Sequence, residues 1–465
     1  MKTSSCTSSE LKEDSPLIKH ENILYGVIFL NTLITVMNTS MFNVALPDIS
    51  DQFQINAGSA SLIVSSYSIL FALSAILYSK FSSLIPIKIL LTVGLVLISV
   101  GSLIGMLAIS FPLLIAARII QALGASSISA LSIIITTKYI PSHRRGKRLG
   151  LVASAVTLGF GFGPLAGGLL TQFLGWEYLF GVSLIALIGI PFYLTLLPFE
   201  IGVKEVFDFS GMLLFFAAIV LLLNGIAYSW IFIPLSILVM FFYFLHIKRH
   251  EFPFMQPSLL KDKSFLRIIG IGFIIFFINF SILFMLPLIL ARSYEVGNTA
   301  LIGLILFPGA FIASVVSILV GKAADQFGPK KVMFFGTLFM PIACIIASLF
   351  GNTSIMFIIL AFSVSSSSFV CITTSLPNIL TEKLPTSQLT TGIGTLQLFQ
   401  YIGGGIGVTV SGKVITFISD IYPSNNEYII VFCILFMISI VAFILSSMFF
   451  KSQTIKIFSV KKWKE

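Results

Sequence analysis

The chain has 465 residues, 57% of them hydrophobic and only 10% charged, with 46 Phe and a net charge of +10. Soluble domains carry about 25% charged residues, and no soluble core hides repeated apolar runs of about 20 residues, each matched to a hydrocarbon layer of about 30 Å. A soluble fold is excluded, and the placement of the positive charge, given below, excludes nucleic acid as its reason.

In chain order, residues 1–23 form a polar tail, and the apolar run behind it has no small-residue cleavage site, so the first span is expected to stay in place. About fourteen spans are predicted, starting near Leu24, Ser61, Lys88, Phe111, Leu149, Tyr178, Phe209, Ile231, Arg267, Leu301, Lys331, Ser354, Thr390 and Tyr428. Of the 28 Lys and Arg, only Arg292 and Lys413 fall in the loops opposite the N-terminus, and Arg118 is embedded. By the positive-inside rule this predicts a multi-pass protein of the plasma membrane with both termini cytoplasmic.

Two loops repeat one another at a distance, as internal repeats of transporters do. The second reads Gly321-Lys322-Ala323-Ala324-Asp325-Gln326-Phe327-Gly328-Pro329-Lys330-Lys331; the first, Ser79-Lys80-Phe81-Ser82-Ser83-Leu84-Ile85-Pro86-Ile87-Lys88, has lost its glycines and aspartate. Both follow the second span of a six-span group if two central spans are an insertion. The expected layout is a six-helix bundle over 24–197, connectors and a two-helix insertion over 198–266, and a second bundle over 267–450. A basic tail over 451–465 either anchors topology or touches anionic headgroups.

Cys344, Cys371 and Cys433 lie within apolar spans and Cys6 in the tail, without metal-ligand or disulfide spacing, and read as small core residues. His20, His143, His246 and His250 read as tail or loop residues, so neither an enzyme, a metal site nor a cofactor is expected.

Arg118 is the anomaly. It sits in the apolar stretch Phe111 to Thr137, where a buried guanidinium costs at least a few kcal/mol, so it needs a cavity or a partner. None of the 18 acidic residues falls at mid-bilayer; Asp48, Glu177 and Glu295 come nearest, at span ends. The run Gly159-Phe160-Gly161-Phe162-Gly163-Pro164-Leu165-Ala166-Gly167-Gly168 weakens its own helix but permits close backbone approach to neighbours, as a packing hinge does. Polar groups within spans, Asn38, Thr39, Asn43, Tyr67, Gln121, Asn279, Gln397 and Gln400, are candidates to line a substrate cavity, though each has the alternative of bonding a neighbouring helix. Gln397 and Gln400 lie one turn apart just before Gly403-Gly404-Gly405, a candidate second hinge. The serines Ser365 to Ser368 either line the cavity or bond carbonyls one turn back.

Several motifs together resemble the major facilitator superfamily, and within it the 14-helix drug:proton antiporters of the tetracycline and multidrug efflux branch. They are Asn43-Val44-Ala45-Leu46-Pro47-Asp48-Ile49, Arg118-Ile119-Ile120-Gln121-Ala122-Leu123-Gly124-Ala125, Tyr139-Ile140-Pro141 with Arg144-Arg145-Gly146-Lys147, the glycine-rich run, Phe207-Asp208-Phe209-Ser210-Gly211 and Phe307-Pro308-Gly309. The similarity runs from about Leu24 to about Phe450. It implies two six-helix bundles with two extra central helices, working by alternating access as a monomer in the bilayer. By resemblance Arg118 serves proton coupling, the run with Gly159, Gly161, Gly163, Pro164, Gly167 and Gly168 is the bundle interface, and Gly321, Asp325, Gly328 and Lys330 form a gating loop; Asp325 is alternatively a solvated loop charge.

The departures bear on cargo. Where tetracycline-exporting relatives carry membrane carboxylates, this chain has Thr39, Phe160 and Ile402, and Asn38 stands where many multidrug relatives have aspartate. The expected function is a secondary active exporter of hydrophobic or amphiphilic small molecules, drugs and tetracycline-like antibiotics among them, by proton antiport, with the missing acids favouring neutral, zwitterionic or anionic amphiphiles. The alternative is an uncoupled facilitator or a transporter-like ligand sensor.

Overall fold

The structure, a computed structural model, describes residues 20–199, 208–250, 253, 255, 259, 261–421 and 427–461, without the side chains of 142, 143, 146, 386, 387, 390 and 450–461. The N-terminal tail with Cys6, the His143 side chain and the basic groups of the C-terminal tail lie outside the described residues.

Among the described residues, fourteen helices are long and apolar enough to span a membrane. They are α1 (Glu21–Phe53), α2 (Ala57–Leu84), α3 (Ile87–Met106), α4 (Phe111–Tyr139), α5 (Ser142–Leu174), α6 (Tyr178–Leu196), α7 (Phe209–Ala227), α8 (Phe232–Arg249), α9 (Lys263–Arg292), α10 (Thr299–Phe327), α11 (Pro329–Phe350), α12 (Ile355–Lys383), α13 (Thr386–Ile421) and α14 (Glu427–Lys461). Side chains at the turns set several starts: Asn56, Asp208, Asp262, Asn298 and Ser354 each accept a hydrogen bond from the first turn of the helix that follows, satisfying donors that have no partner within the helix. Pro47, Pro164, Pro287, Pro308, Pro341 and Pro377 lie inside helices, which is tolerated where neighbouring helices complete the freed backbone groups.

The spans start close to the expected positions, with one informative exception. Helix α5 begins at Ser142, so the basic motif expected as a loop before the span is its first turns. Those turns have a partner: Arg148 Nε lies 2.5 Å and Arg144 Nη2 3.1 Å from the Glu21 carboxylate at the start of α1, and Arg148 also donates to Asn22 Oδ1 at 2.7 Å. The ion pairs supply charge neutralisation that lets the helix continue past the apolar core.

Within the first six helices α1 packs on α5, α3 on α4, α2 on α4 and α3 on α6; among the last six, α9 packs on α13, α11 on α12, α10 on α12 and α11 on α14. The two sets are the same pattern, and they meet along α5 with α10 and α2 with α13. Helix α9 is the most enclosed, lined with Ile, Phe and Leu that face neighbouring helices. Helices α7 and α8 form a hairpin that touches α2 and α13 through α7, while Leu235, Ile237, Leu238, Phe241, Phe242 and Phe244 of α8 are exposed. Exposed apolar side chains in such number suit a helix solvated by lipid rather than water.

Because consecutive spans alternate in direction, α1, α13 and the other odd helices begin on the side of the membrane where α1 starts. That side is the near side below, and the opposite one the far side.

Candidate functional site

Arg118 of α4 is fully buried in a cage drawn from the first six helices. Its Nη1 donates to Asn38 Oδ1 of α1 at 2.6 Å and to Gln121 Oε1 of its own helix at 3.0 Å, while Nε points to the Ile63 carbonyl of α2 at 3.5 Å. The guanidinium carbon lies 4.0 Å from the Phe42 ring centre and 4.1 Å from that of Tyr67, so the cation is held between two aromatic faces. The amides are held in turn: Asn38 donates to Ser183 at 2.6 Å and Gln121 to Ser102 at 2.8 Å. A desolvated cation over a ring gains about 2 kcal/mol and a hydrogen bond to a charged group about 1.5–3 kcal/mol. Together these match the few kcal/mol that membrane burial of arginine costs. The expected partner of Arg118 is therefore a set of neutral dipoles and ring quadrupoles, with no carboxylate in contact among the described residues.

Three of the proposed cavity residues, Asn38, Tyr67 and Gln121, thus belong to the arginine cage. Asn43 bonds the Thr39 carbonyl one turn back at 3.3 Å, Thr39 bonds the Thr35 carbonyl, and Asn279 and Gln400 are buried between helices.

The glycine-rich run works on two faces. A side chain at Gly159 would meet Val36, at Gly163 Ser40, and at Gly167 the Met41 carbonyl, all of α1; one at Gly161 would meet Ser314, and one at Gly168 the Thr299 carbonyl and Gly303, all of α10. Residues four apart share a helix face, so one stripe seats α5 in its own half and the other lets it slide close to the opposite half. Ser314 Oγ donates to the Thr157 carbonyl across that seam at 3.2 Å. Helix α13 repeats the device. Gly403 and Gly407 face the α9 backbone, and Gly405 and Gly412 face Ile69 and Ala57 of α2. The glycines at 159, 161, 163 and 168 and those at 403, 405, 407 and 412 share one spacing of two, two and five residues. Gly407 and Gly412, beyond the run Gly403 to Gly405, complete that spacing and are its signal in the sequence.

The two halves are joined on the far side. Thr299 donates through Oγ1 to Asp48 Oδ2 at 2.7 Å, and its N–H to Gln172 Oε1 at 2.9 Å; the Gly58 N–H donates to Thr416 Oγ1 at 3.0 Å. On the near side they part around a cavity of about 420 Å3 between α2, α4 and α13, within the size range of small-molecule sites. Its wall carries the Phe71 and Tyr401 rings, 5.1 Å apart, with Gln397, Thr137, Thr395 and Lys80 among the polar groups, and no carboxylate among the described residues. Gln397 faces this space, whereas Gln400 faces Gly272 of α9.

The loop between α10 and α11 turns at Gly328, whose φ of +85° is a region that favours glycine. Asp325 is exposed, a side chain at Gly321 would meet no neighbour, and Lys330 pairs with Glu382 at the end of α12 at 2.7 Å. Ser365 and Ser368 reach across to Met340 and the Gly336 carbonyl of α11 rather than into the cavity. Cys344 is buried as expected, but Cys433 is exposed on the apolar surface, with Ser348 at 3.2 Å. His246 is not in a loop: it occupies the last turn of α8, with His250 as its cap.

Two halves of like packing, closed at one end and parted around a cavity at the other, define a membrane transporter of small molecules, and not an enzyme. The chain belongs to the Major Facilitator Superfamily, whose family model matches residues 28–408 and 268–457. It is 23% identical over 350 residues to the riboflavin transporter RibZ of Clostridioides difficile (strain 630), covering 74% of this chain and 76% of that one. It is 25% identical over 406 residues to the multidrug resistance protein Stp of Mycobacterium tuberculosis (strain ATCC 25618 / H37Rv), covering 84% and 73%. Among solved structures, a bacterial homologue of the human lysosomal transporter Spinster, inward-facing and unoccupied, superposes with a TM-score of 0.67 at 14% identity, covering 93% of this chain and 98% of that one. A D-xylose-proton symporter gives 0.67 at 13% identity, covering 92% and 97%.

Proposed function

We propose that this transporter is a secondary active exporter of neutral or anionic aromatic amphiphiles, including tetracycline-like compounds, driven by proton antiport through alternating access. It sits in the plasma membrane as a monomer with the near side cytoplasmic, in a six–two–six arrangement of helices. The observation that carries the reading is the asymmetry of the seam between the halves: glycine contacts and the Asp48–Thr299 bond hold the far side while the near side parts around the cavity. A state of this kind loads cargo from one compartment, and rocking about the α5–α10 and α2–α13 contacts delivers it to the other.

The cavity's chemistry narrows the cargo. Phe71 and Tyr401 offer ring faces to a planar molecule, Gln397 and the hydroxyls offer hydrogen bonds, and Lys80 adds the cavity's positive charge. A cationic drug finds no carboxylate among the described residues of that wall, and Arg118 inside its cage repels one further. The names of the two relatives, a riboflavin transporter and a multidrug resistance protein, accord with an aromatic cargo of this class.

One observation favours a second reading. Arg118 is sealed among neutral groups with no acid beside it among the described residues, and a proton antiporter needs a group that titrates between the two states. An uncoupled facilitator or a ligand sensor needs none.

Vesicle reconstitution separates the readings. With a pH gradient imposed across the vesicle membrane, flux of a fluorescent aromatic anion and of riboflavin is followed together with lumenal pH. Antiport requires flux that scales with the gradient and dissipates it. Equal flux with and without the gradient establishes the facilitator, and binding without flux establishes the sensor.

A further inference from the structure

Away from the cavity and from Arg118, three metal-ligating side chains meet on the near side, where α7 begins and α8 ends. Asp208 has a fully enclosed side chain. Its Oδ1 accepts the Gly211 N–H of α7 at 2.7 Å and lies 2.7 Å from His246 Nε2. His250 follows one turn after His246 on the same face of α8, with the two rings 5.1 Å apart. Ligand atoms of all three residues lie within 4.8 Å of one another.

A fourth group stands beside them. Tyr243 shares this stripe of α8, is 2% exposed, interacts electrostatically with Asp208, and its buried hydroxyl has no hydrogen-bond partner among the described residues. Leaving such a donor unsatisfied costs about 1–3 kcal/mol, which an oxygen in the sphere of a bound cation removes. The cations of the same turn, Lys248 and Arg249, are exposed.

Two imidazoles one turn apart facing an enclosed carboxylate make the donor set that divalent first-row metals prefer over magnesium or calcium, which take oxygen ligands. We propose that Asp208, His246 and His250 form a binding site for a divalent transition-metal ion of the zinc class, with the Tyr243 hydroxyl in its outer sphere. The ion ties the start of α7 to the end of α8. Met255, five residues further along the chain than His250, lies in the cavity wall.

The test uses the full-length protein in detergent, purified through a tag without histidine and stripped with a chelator. Co2+ is titrated while visible d–d absorption is followed, then displaced with Zn2+, and thermal unfolding is recorded with and without Zn2+. The expected result is one equivalent of Co2+ with the bands of a low-coordinate site, loss of those bands on Zn2+ addition, and a Zn2+-dependent rise in Tm. His250→Ala, which leaves the Asp208 cap and its bond to His246 in place, abolishes the bands, and Tyr243→Phe lowers affinity about 10–100-fold, the usual effect of removing an outer-sphere partner. Absent Co2+ bands and an unmoved Tm in the wild-type protein overturn the site and leave Asp208–His246 as a hydrogen bond only. Binding to His250→Ala equal to wild type overturns it as well.

Discussion

Arg118 Nη1 lies 2.6 Å from Asn38 Oδ1, and the bond joins α4 to α1 in the interior of the first six helices. A charge in that position is held by an amide where an acid would neutralise it. The pair is therefore both a structural joint and a place where a single atom change, oxygen for nitrogen or carbon, alters the electrostatics of a whole bundle.

Replacing the amide tests the joint. Asn38→Leu removes an acceptor from a buried cation and is expected to destabilise the folded protein by about 1.5–3 kcal/mol, whereas Asn38→Asp restores an acceptor and neutralises the guanidinium. Thermal unfolding in detergent should rank the three proteins with Asn38→Leu lowest. Equal stability of Asn38→Leu and wild type would show that the bond contributes nothing.

Removing the charge itself has a different signature. Because the partners of Arg118 are neutral, its replacement strands no buried charge, so Arg118→Gln is expected to fold and to lose gradient-dependent flux in vesicles. Loss of folding yield with normal flux in the folded fraction would make Arg118 purely structural.

The two glycine stripes of α5 should fail differently. Gly167→Val places a side chain against the Met41 carbonyl within one half, and Gly168→Val places one against Thr299 and Gly303 of the other. The first is expected to reduce folded yield. The second is expected to fold and to hold the far side apart, which a disulfide between Gly58→Cys and Thr416→Cys reports: it forms readily in the wild-type background and slowly with Gly168→Val.

The far-side bond between Thr299 and Asp48 should act on the same equilibrium. Thr299→Val removes a hydrogen bond to a carboxylate, worth about 1.5–3 kcal/mol, and is expected to cut the yield of the same disulfide about tenfold or more at fixed oxidant. An unchanged yield would assign closure to the glycine contacts alone.

Cavity substitutions should sort cargo by charge and by ring. Lys80→Glu is expected to weaken binding of an aromatic anion while leaving riboflavin unaffected. Tyr401→Leu is expected to weaken both by about 2–10-fold, the worth of an aromatic contact beyond its area. Fluorescence quenching in detergent measures each. Equal loss for anion and neutral cargo in Lys80→Glu would remove charge from the selectivity.

Much of this was legible in residue order. Membrane burial forces helices to satisfy every backbone group internally, so apolar runs of span length could only be helices, and their ends follow from residues such as Asn56, Asn298 and Ser354 that cap first turns. The start of α5 was not legible, because the acid that pairs with its basic turns, Glu21, lies more than a hundred residues earlier.

The site divides the same way. The sequence by itself determined that one cation is embedded, that glycines make close seams, and that mid-bilayer acids are missing, since each of these is a property of residue type and depth. Only the tertiary structure decided that Asn38, Tyr67 and Gln121 surround Arg118 while Gln397 faces the cavity, that the glycine stripes split between two neighbours, and that Asp208, His246 and His250 converge. A polar side chain in a span satisfies itself with whatever helix lies opposite, and which helix lies opposite is set by packing between segments far apart in the chain.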